Sequence, residues 1–215
     1  IADTRMGRPH VVLLGAGASR AALPDGDVRG RPVPLLRELA NSLGLSDLFP
    51  DDLRELAETD FESAYSRLFE RKGVGLAEME ACLSDYFADL ELPERPNLYD
   101  VLTLSLREKD AILTFNWDPF LMQSRLRLAR LGAGGFPRLF FLHGNVAVGF
   151  CRTDRVSGLV GACCRTCGRA FEASRLLFPV EKKNYQDGGF VEREWEAVRA
   201  CLGSCFMLTV FGYSA

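Results

Sequence analysis

Asn116 and His143 are the side chains whose types and positions along the chain could do chemistry. Each closes an apolar run, Ala111-Ile112-Leu113-Thr114-Phe115 before the carboxamide and Leu139-Phe140-Phe141-Leu142 before the imidazole. In open α/β sheets ligands bind outside the carboxyl ends of the strands, so a polar group at such an exit faces a bound molecule. An imidazole placed there titrates near neutrality and can serve as a general base, while a carboxamide can hold a water or a hydroxyl in line. The chain has two histidines, and His10 merely precedes the first apolar run. A lone histidine more often serves packing; the strand exit is what favours chemistry for His143. Asp118, followed by Pro119, has a structural assignment of its own, as N-cap with proline at the first helical position.

A third stretch could hold the rest of a ligand. Val11-Val12-Leu13-Leu14 runs into Gly15-Ala16-Gly17-Ala18-Ser19-Arg20, which reads as a doubly buried strand, a tight turn and a helix start. The first-turn amides of a helix lack internal partners and lie at its positive end, so such a turn can cradle a diphosphate, with the Ser19 hydroxyl as a further donor. Arg20 stands where the dinucleotide fingerprint has its third glycine, so the ordinary dehydrogenase pattern is not met. The competing reading is a glycine turn between a core strand and a core helix that binds nothing.

Four of the seven cysteines fall between 151 and 167. Cys151-Arg152-Thr153-Asp154 and Cys164-Arg165-Thr166-Cys167 are near-copies of one knuckle, the arrangement by which a small ribbon holds a tetrahedral zinc. The expected ligands are Cys151, Cys164 and Cys167, with Asp154 or the neighbouring Cys163 as the fourth; the competing reading is a knuckle that holds no metal. Either role is structural. Cys82, Cys201 and Cys205 read as small buried residues.

The elements that must position these groups follow from periodicity. Strands are expected over the three apolar runs and again at about 206–211. Residues 21–34, dense in proline, glycine and charge, read as a loop over the mouth of the glycine turn. Helices are expected from about Leu35 to 43, then at 51–58, 60–71, 76–90, 97–107 and 119–131, and around Val191, Trp195, Val198 and Leu202. The run from 35 to 108 is all helical and longer than one crossover needs, so it reads as a helical insert or lid. Gly132-Ala133-Gly134-Gly135 closes a helix and reads as a C-terminal cap. Tyr185 and Glu181-Lys182-Lys183 read as solvated loop.

The fold class expected is therefore α/β, a doubly wound Rossmann-like parallel sheet with a helical insert and a small cysteine ribbon at 145–178. With 215 residues, 47% of them hydrophobic, the chain can bury a substantial core. A net charge of −3 with interspersed signs offers no basic stripe for direct nucleic-acid binding. No apolar stretch reaches the roughly 18 residues of a membrane span, so no membrane partner is expected and the default compartment is the cytoplasm. Because the chain stops directly after an apolar strand, it reads as a piece of a longer polypeptide.

Taken in order, Gly15-Ala16-Gly17-Ala18-Ser19, Thr114-Phe115-Asn116-Trp117-Asp118 and His143-Gly144 resemble the sirtuin (SIR2-like) superfamily, and most closely its divergent bacterial branch of NAD-degrading anti-phage effectors. Leu23-Pro24-Asp25 falls where sirtuins carry isoleucine-proline-aspartate, although Gly26 and Asp27 replace the phenylalanine and arginine that normally follow. Val210-Phe211-Gly212-Tyr213-Ser214 resembles the late strand that touches the adenosine half of NAD. The resemblance implies one NAD-binding domain over 1–215, with Gly15, Ala16, Gly17 and Ser19 on the diphosphate. It places Asp25 and Asp118 on the cofactor, the latter with Asn116 by the nicotinamide ribose, and Gly212 and Ser214 near the adenosine ribose. His143 would be the base. The activity implied is NAD glycohydrolysis to nicotinamide and ADP-ribose, with NAD as substrate, a structural zinc, and activation by self-assembly or a partner. Two alternatives stand beside it: an NAD-dependent protein deacylase, which needs a peptide groove between ribbon and sheet, and a non-catalytic NAD or ADP-ribose sensing module.

Overall fold

The computed structural model describes residues 7–180, 185 and 189–213. Its centre is a parallel sheet of four strands, β1 (His10–Leu14), β2 (Ala111–Thr114), β3 (Arg138–Phe141) and β7 (Met207–Phe211), in the order β3-β2-β1-β7. Between β3 and β7 the chain forms a small antiparallel ribbon of β4 (Val148–Cys151), β5 (Val156–Leu159) and β6 (Glu172–Ala173), with β4 in the middle.

The register decides where a site can lie. Leu14 pairs with Thr114 on one side and Phe211 on the other, and Thr114 pairs with Phe141, so the strands end level with one another. Gly15, Phe115-Asn116, Leu142-His143 and Gly212 therefore leave the sheet along the same edge. The order reverses between β2 and β7 on either side of β1, and ligands of open α/β sheets bind at such a switch point.

Both faces of the sheet are covered at β1 and β2, whereas β7 is exposed along its length. Val12, Leu14 and Ile112 pack under the helical run together with Phe120 and Leu121 of α7 (Phe120–Arg130). Val11, Ala111, Leu113, Phe140 and Leu142 pack on the other face against Val198 and Cys201 of α8 (Phe190–Ser204). A third cluster joins Val148 and Phe150 of the ribbon to Phe141, Phe190 and Val191, seating the ribbon on the β3 edge.

α1 (Ala16–Ala22) follows the glycine turn directly. The single helix expected from Leu35 is instead a 3-10 turn at Leu36–Glu38 followed by α2 (Leu39–Leu43). The run continues through α3 (Asp51–Thr59), α4 (Phe61–Glu70), α5 (Leu76–Ala88) and α6 (Leu98–Ser105). Asp60 caps α4 by accepting from the Ser63 amide at 3.1 Å, and α2 stops at Gly44, whose φ of 64° favours glycine. Cys82, expected on an apolar face, is exposed, because α5 buries the narrow stripe Met79, Leu83 and Phe87. Among the described residues, no helix is long and apolar enough to cross a membrane.

Candidate active site

A cavity of about 750 Å³ opens at the switch point. Gly15, Ala16 and Gly17 form one wall, Asn116 and Asp118 the floor, and His143 and Gly212 lie beside them, so residues far apart in the chain meet in one space. Val33, Pro34 and Leu35, the far end of the loop over the glycine turn, close another side. That loop is held by Asp27, which accepts from the amides of Arg29 and Arg31, both at 2.9 Å, and pairs with the Arg31 guanidinium at 2.6 Å. Burial would raise the Asp27 carboxyl, yet the Arg31 guanidinium and the two amides outweigh it and hold the group below its usual range.

The glycines serve close packing as well as the cavity. A Cβ on Gly15 would lie 2.5 Å from the Gly212 carbonyl oxygen, and one on Gly17 would lie 3.0 Å from the Gly212 Cα. The Gly15 amide donates to the Phe211 carbonyl at 3.0 Å and the Gly17 amide to the Gly212 carbonyl at 2.9 Å. Two of the amides expected to meet a diphosphate are thus engaged by the last residue of β7 and the glycine that follows it. Ala16, the first helical residue, has no acceptor within the helix for its amide and lines the cavity.

Beneath the glycine turn lies a buried cluster. Asn116 Nδ2 donates to the Gly15 carbonyl at 3.0 Å and to Ser19 Oγ at 2.8 Å. Ser19 Oγ donates to Asp118 Oδ2 at 2.6 Å, and the same oxygen lies 2.6 Å from the hydroxyl of Tyr99, on α6. With both amide hydrogens engaged, the Asn116 carbonyl oxygen is the end left to meet a ligand. Asp118 is fully buried in this cluster, and burial pushes its carboxyl up to about 6, against the lowering contribution of Ser19. The expected N-cap is displaced by one residue. α7 begins at Phe120 with Pro119 in the cap position, and Asp118 Oδ1 accepts from the Phe120 amide at 3.3 Å. Ser19 is wholly buried, so its hydroxyl serves the cluster and does not reach the cavity.

His143 sits among aromatic rings. Phe115 packs against it at 4.6 Å between centroids with the rings tilted by 55°, and the Tyr185 hydroxyl lies 3.4 Å from His143 Nε2. Tyr185 packs in turn edge-on against Trp195, 5.1 Å away, whose indole N–H donates to the Leu142 carbonyl at 3.1 Å. Tyr185 is therefore a wall of the cavity and not the solvated loop residue that its polar neighbours suggest. Sequence reasoning also missed Arg37, which among the described residues is the guanidinium on the cavity wall. It follows Leu36 in a stretch read only for apolar spacing.

Two expected contacts lie elsewhere. Asp25 is exposed and paired with Arg95, outside the cavity lining, so it is not brought to the other site residues. The loop turns after Pro24 so that Asp27, and not Asp25, points inward. Ser214 lies outside the described residues, as do Glu181, Lys182 and Lys183.

The ribbon brings Cys151, Asp154, Cys164 and Cys167 together, with their ligand atoms all within 4.8 Å of one another. Cys151 Sγ is 3.5 Å from Cys167 Sγ, and Cys164 Sγ is 3.1 Å from Asp154 Oδ2. Three sulfurs and one carboxylate oxygen at this spacing match a tetrahedral zinc site, whose Zn–S bonds of about 2.3 Å put sulfurs roughly 3.8 Å apart. The fourth position falls to Asp154, and Cys163 stays exposed outside the cluster. The Asp154 carboxylate accepts from the Cys167 thiol and pushes it up to about 12. A divalent cation bound there would release that proton.

Solved structures similar to this chain are Sir2 proteins. A Sir2 homologue in complex with ADP-ribose shares 16% identity over 95% of this chain and 70% of its own, with a TM-score of 0.44. A Sir2 homologue in complex with NAD shares 17% over 95% and 68%, at 0.41, and Sir2Tm bound to a propionylated peptide shares 16% over 96% and 70%, at 0.38. No protein-family model matches the chain, and no curated protein does.

Proposed function

We infer that the chain binds NAD at the switch point and hydrolyses its nicotinamide–ribose bond, as an NAD glycohydrolase of the SIR2-like kind. The observation that carries this reading is one cavity shared by the start of α1, the Asn116 carbonyl oxygen and His143. The diphosphate would lie by Ala16 and Arg37, and the nicotinamide ribose between Asn116 and His143. Breaking the C1′–nitrogen bond develops oxocarbenium character at C1′. Asn116 would hold a water through its carbonyl oxygen while His143 takes a proton from it. The water oxygen bonds to C1′, nicotinamide leaves with the electron pair of the broken bond, and ADP-ribose and one proton complete the balance.

Tyr185 and Trp195 favour hydrolysis over deacylation. The Tyr185 hydroxyl occupies the Nε2 side of His143 and Trp195 backs the Tyr185 ring, an arrangement that suits a water better than an acyl chain threaded on a peptide. A role in anti-phage defence and activation on assembly accompany this reading and rest on the motif resemblance alone.

The test is release of nicotinamide from NAD by the purified chain, with free ADP-ribose separated from acyl-ADP-ribose in the presence of an acylated peptide. Asn116→Ala and His143→Ala are each expected to lower turnover by about 100-fold, in the range usual for acid–base groups. Unchanged turnover in both variants would sink the mechanism. Acyl-ADP-ribose as the main product would transfer the site to the deacylase reading.

A further inference from the structure

α6 is built inside out. Its exposed face carries Leu98, Val101 and Leu104, at 41%, 58% and 56% exposure, while Tyr99, Asp100 and Thr103 are buried. Burying polar side chains costs free energy unless each finds partners, so this orientation needs a return. Asp100 has a structural one: it completes the Asn97 capping box, accepts from Ser124 Oγ at 2.7 Å and pairs with Arg127. Tyr99 has no share in those contacts beyond its backbone amide, which the Asn97 side chain caps at 2.9 Å. Its hydroxyl lies instead 2.6 Å from Ser19 Oγ and also accepts a longer bond, 3.4 Å, from Asn116 Nδ2.

With Asp118 ionised, counting hydrogens fixes the direction of the bonds at Ser19. A serine hydroxyl has one hydrogen and two lone pairs, and an ionised carboxylate only accepts. Ser19 therefore gives its hydrogen to Asp118 and receives one hydrogen from Asn116 Nδ2 and one from the Tyr99 hydroxyl. We propose that Tyr99 is a positioning residue, whose donation to Ser19 completes the buried cluster and keeps the Asn116 nitrogen turned inward and its carbonyl oxygen turned to the cavity. The helical run is then part of the site and not only a cover over it.

With Phe in place of Tyr99, one lone pair of Ser19 loses its donor in a site closed to water, and Ser19 can rotate its hydrogen away from Asp118. The amide of Asn116 is then free to flip. Burial, reinforced by the Asp118 charge, holds the Tyr99 phenol well above the usual tyrosine range, so it keeps its hydrogen at any working pH.

The test uses Tyr99→Phe, which removes one oxygen and keeps the packing. In protein labelled with 15N-asparagine, the Asn116 side-chain amide protons should shift and exchange with solvent at least 10-fold faster in the variant. Its kcat for NAD should fall about 10-fold while KM stays within 2-fold. Only this effect on turnover rests on the glycohydrolase reading. If the wild-type chain releases no nicotinamide, that reading fails and the amide measurement still decides the inference. Unchanged amide shifts and exchange in Tyr99→Phe overturn it. Should the variant not fold, the wild-type chain supplies the answer through its Tyr99 hydroxyl proton. A slowly exchanging resonance with proximity to the Ser19 β-protons supports donation, and its absence overturns it.

Discussion

On the proposed glycohydrolase reading, Asp118 should couple the protonation of one buried carboxyl to both stability and turnover, in opposite directions. Burial lifts it from 3.8 to about 6, so the folded chain binds this proton more tightly than the unfolded chain. Stability therefore declines as pH rises from about 3.8 to about 6, by on the order of 3 kcal/mol. Turnover should run the other way. Below pH 6 a neutral Asp118 donates to Ser19, the Ser19 hydrogen turns toward Tyr99, and the cluster that orients Asn116 loses its direction. A profile of kcat against pH is expected to fall on the acid side near 6, while urea unfolding shows the chain growing more stable across the same window. Asp118→Asn should remove both slopes. An acid limb retained in that variant would assign it to another group. Asn116 and His143 were legible in the sequence because each ends an apolar run. Tyr99 was not, since an aromatic at helical spacing reads as core and only its distance to Ser19, 80 positions away, shows its hydroxyl in use.

At the scale of elements, α8 does for the β3 edge what a neighbouring strand would do. Glu194 accepts from the Phe141 amide at 2.8 Å and Trp195 donates to the Leu142 carbonyl, so two consecutive side chains hold the backbone just before His143. Glu194 is 8% exposed, and burial pushes its carboxyl from 4.5 up to about 7. Its proton too is held more tightly in the folded chain, so stability is lost as pH rises from about 4.5 to about 7, on the order of 3 kcal/mol from this group. Glu194→Gln keeps an acceptor for Phe141 without the charge. Denaturant unfolding should find it more stable than the wild-type chain by that amount at pH 8 and equal to it at pH 4. A variant less stable at pH 8 would show that the ionised carboxylate is needed there. The pattern Val191, Trp195, Val198 and Leu202 identified α8 and most of its inward face, but Leu202, near the helix end, is exposed. Glu194 lies on that same face, three residues after Val191 and four before Val198, where apolar counting passes over a carboxylate. The four strands of the parallel sheet were legible, because an unbroken apolar run stopped by glycine or a polar residue has few other uses, whereas β4, β5 and β6 of the ribbon were read from their cysteines and not as strands. Cys82 was misplaced because spacing fixes the middle of an apolar stripe and not its width.

For the molecule as a whole, the site depends on the contact between its first turn and its last strand. β1 and β7 are nearly 200 positions apart and pair along their full length, and the glycine turn closes on Gly212 with no space between the backbones. A Cβ on Gly212 would lie 2.0 Å from the Ala18 amide nitrogen, and its φ of +66° is strained for any side chain. Neither neighbour can yield, because both are backbone held in hydrogen bonds. Gly212→Ala must therefore push β7 from the start of α1, at a cost of about 2–4 kcal/mol and a Tm lower by roughly 10 °C. NAD binding, read by calorimetry below the new Tm, should weaken along with it, since Gly15 and Gly17 move with the turn. Gly203 supplies the control. It lies within α8 with nothing near its Cβ position, so Gly203→Ala is expected to raise stability by up to about 1 kcal/mol and leave binding unchanged. If Gly212→Ala lost stability alone and bound NAD as before, the glycine turn would be a packing device, and the diphosphate would have to lie elsewhere in the cavity, with Arg37 as its anchor.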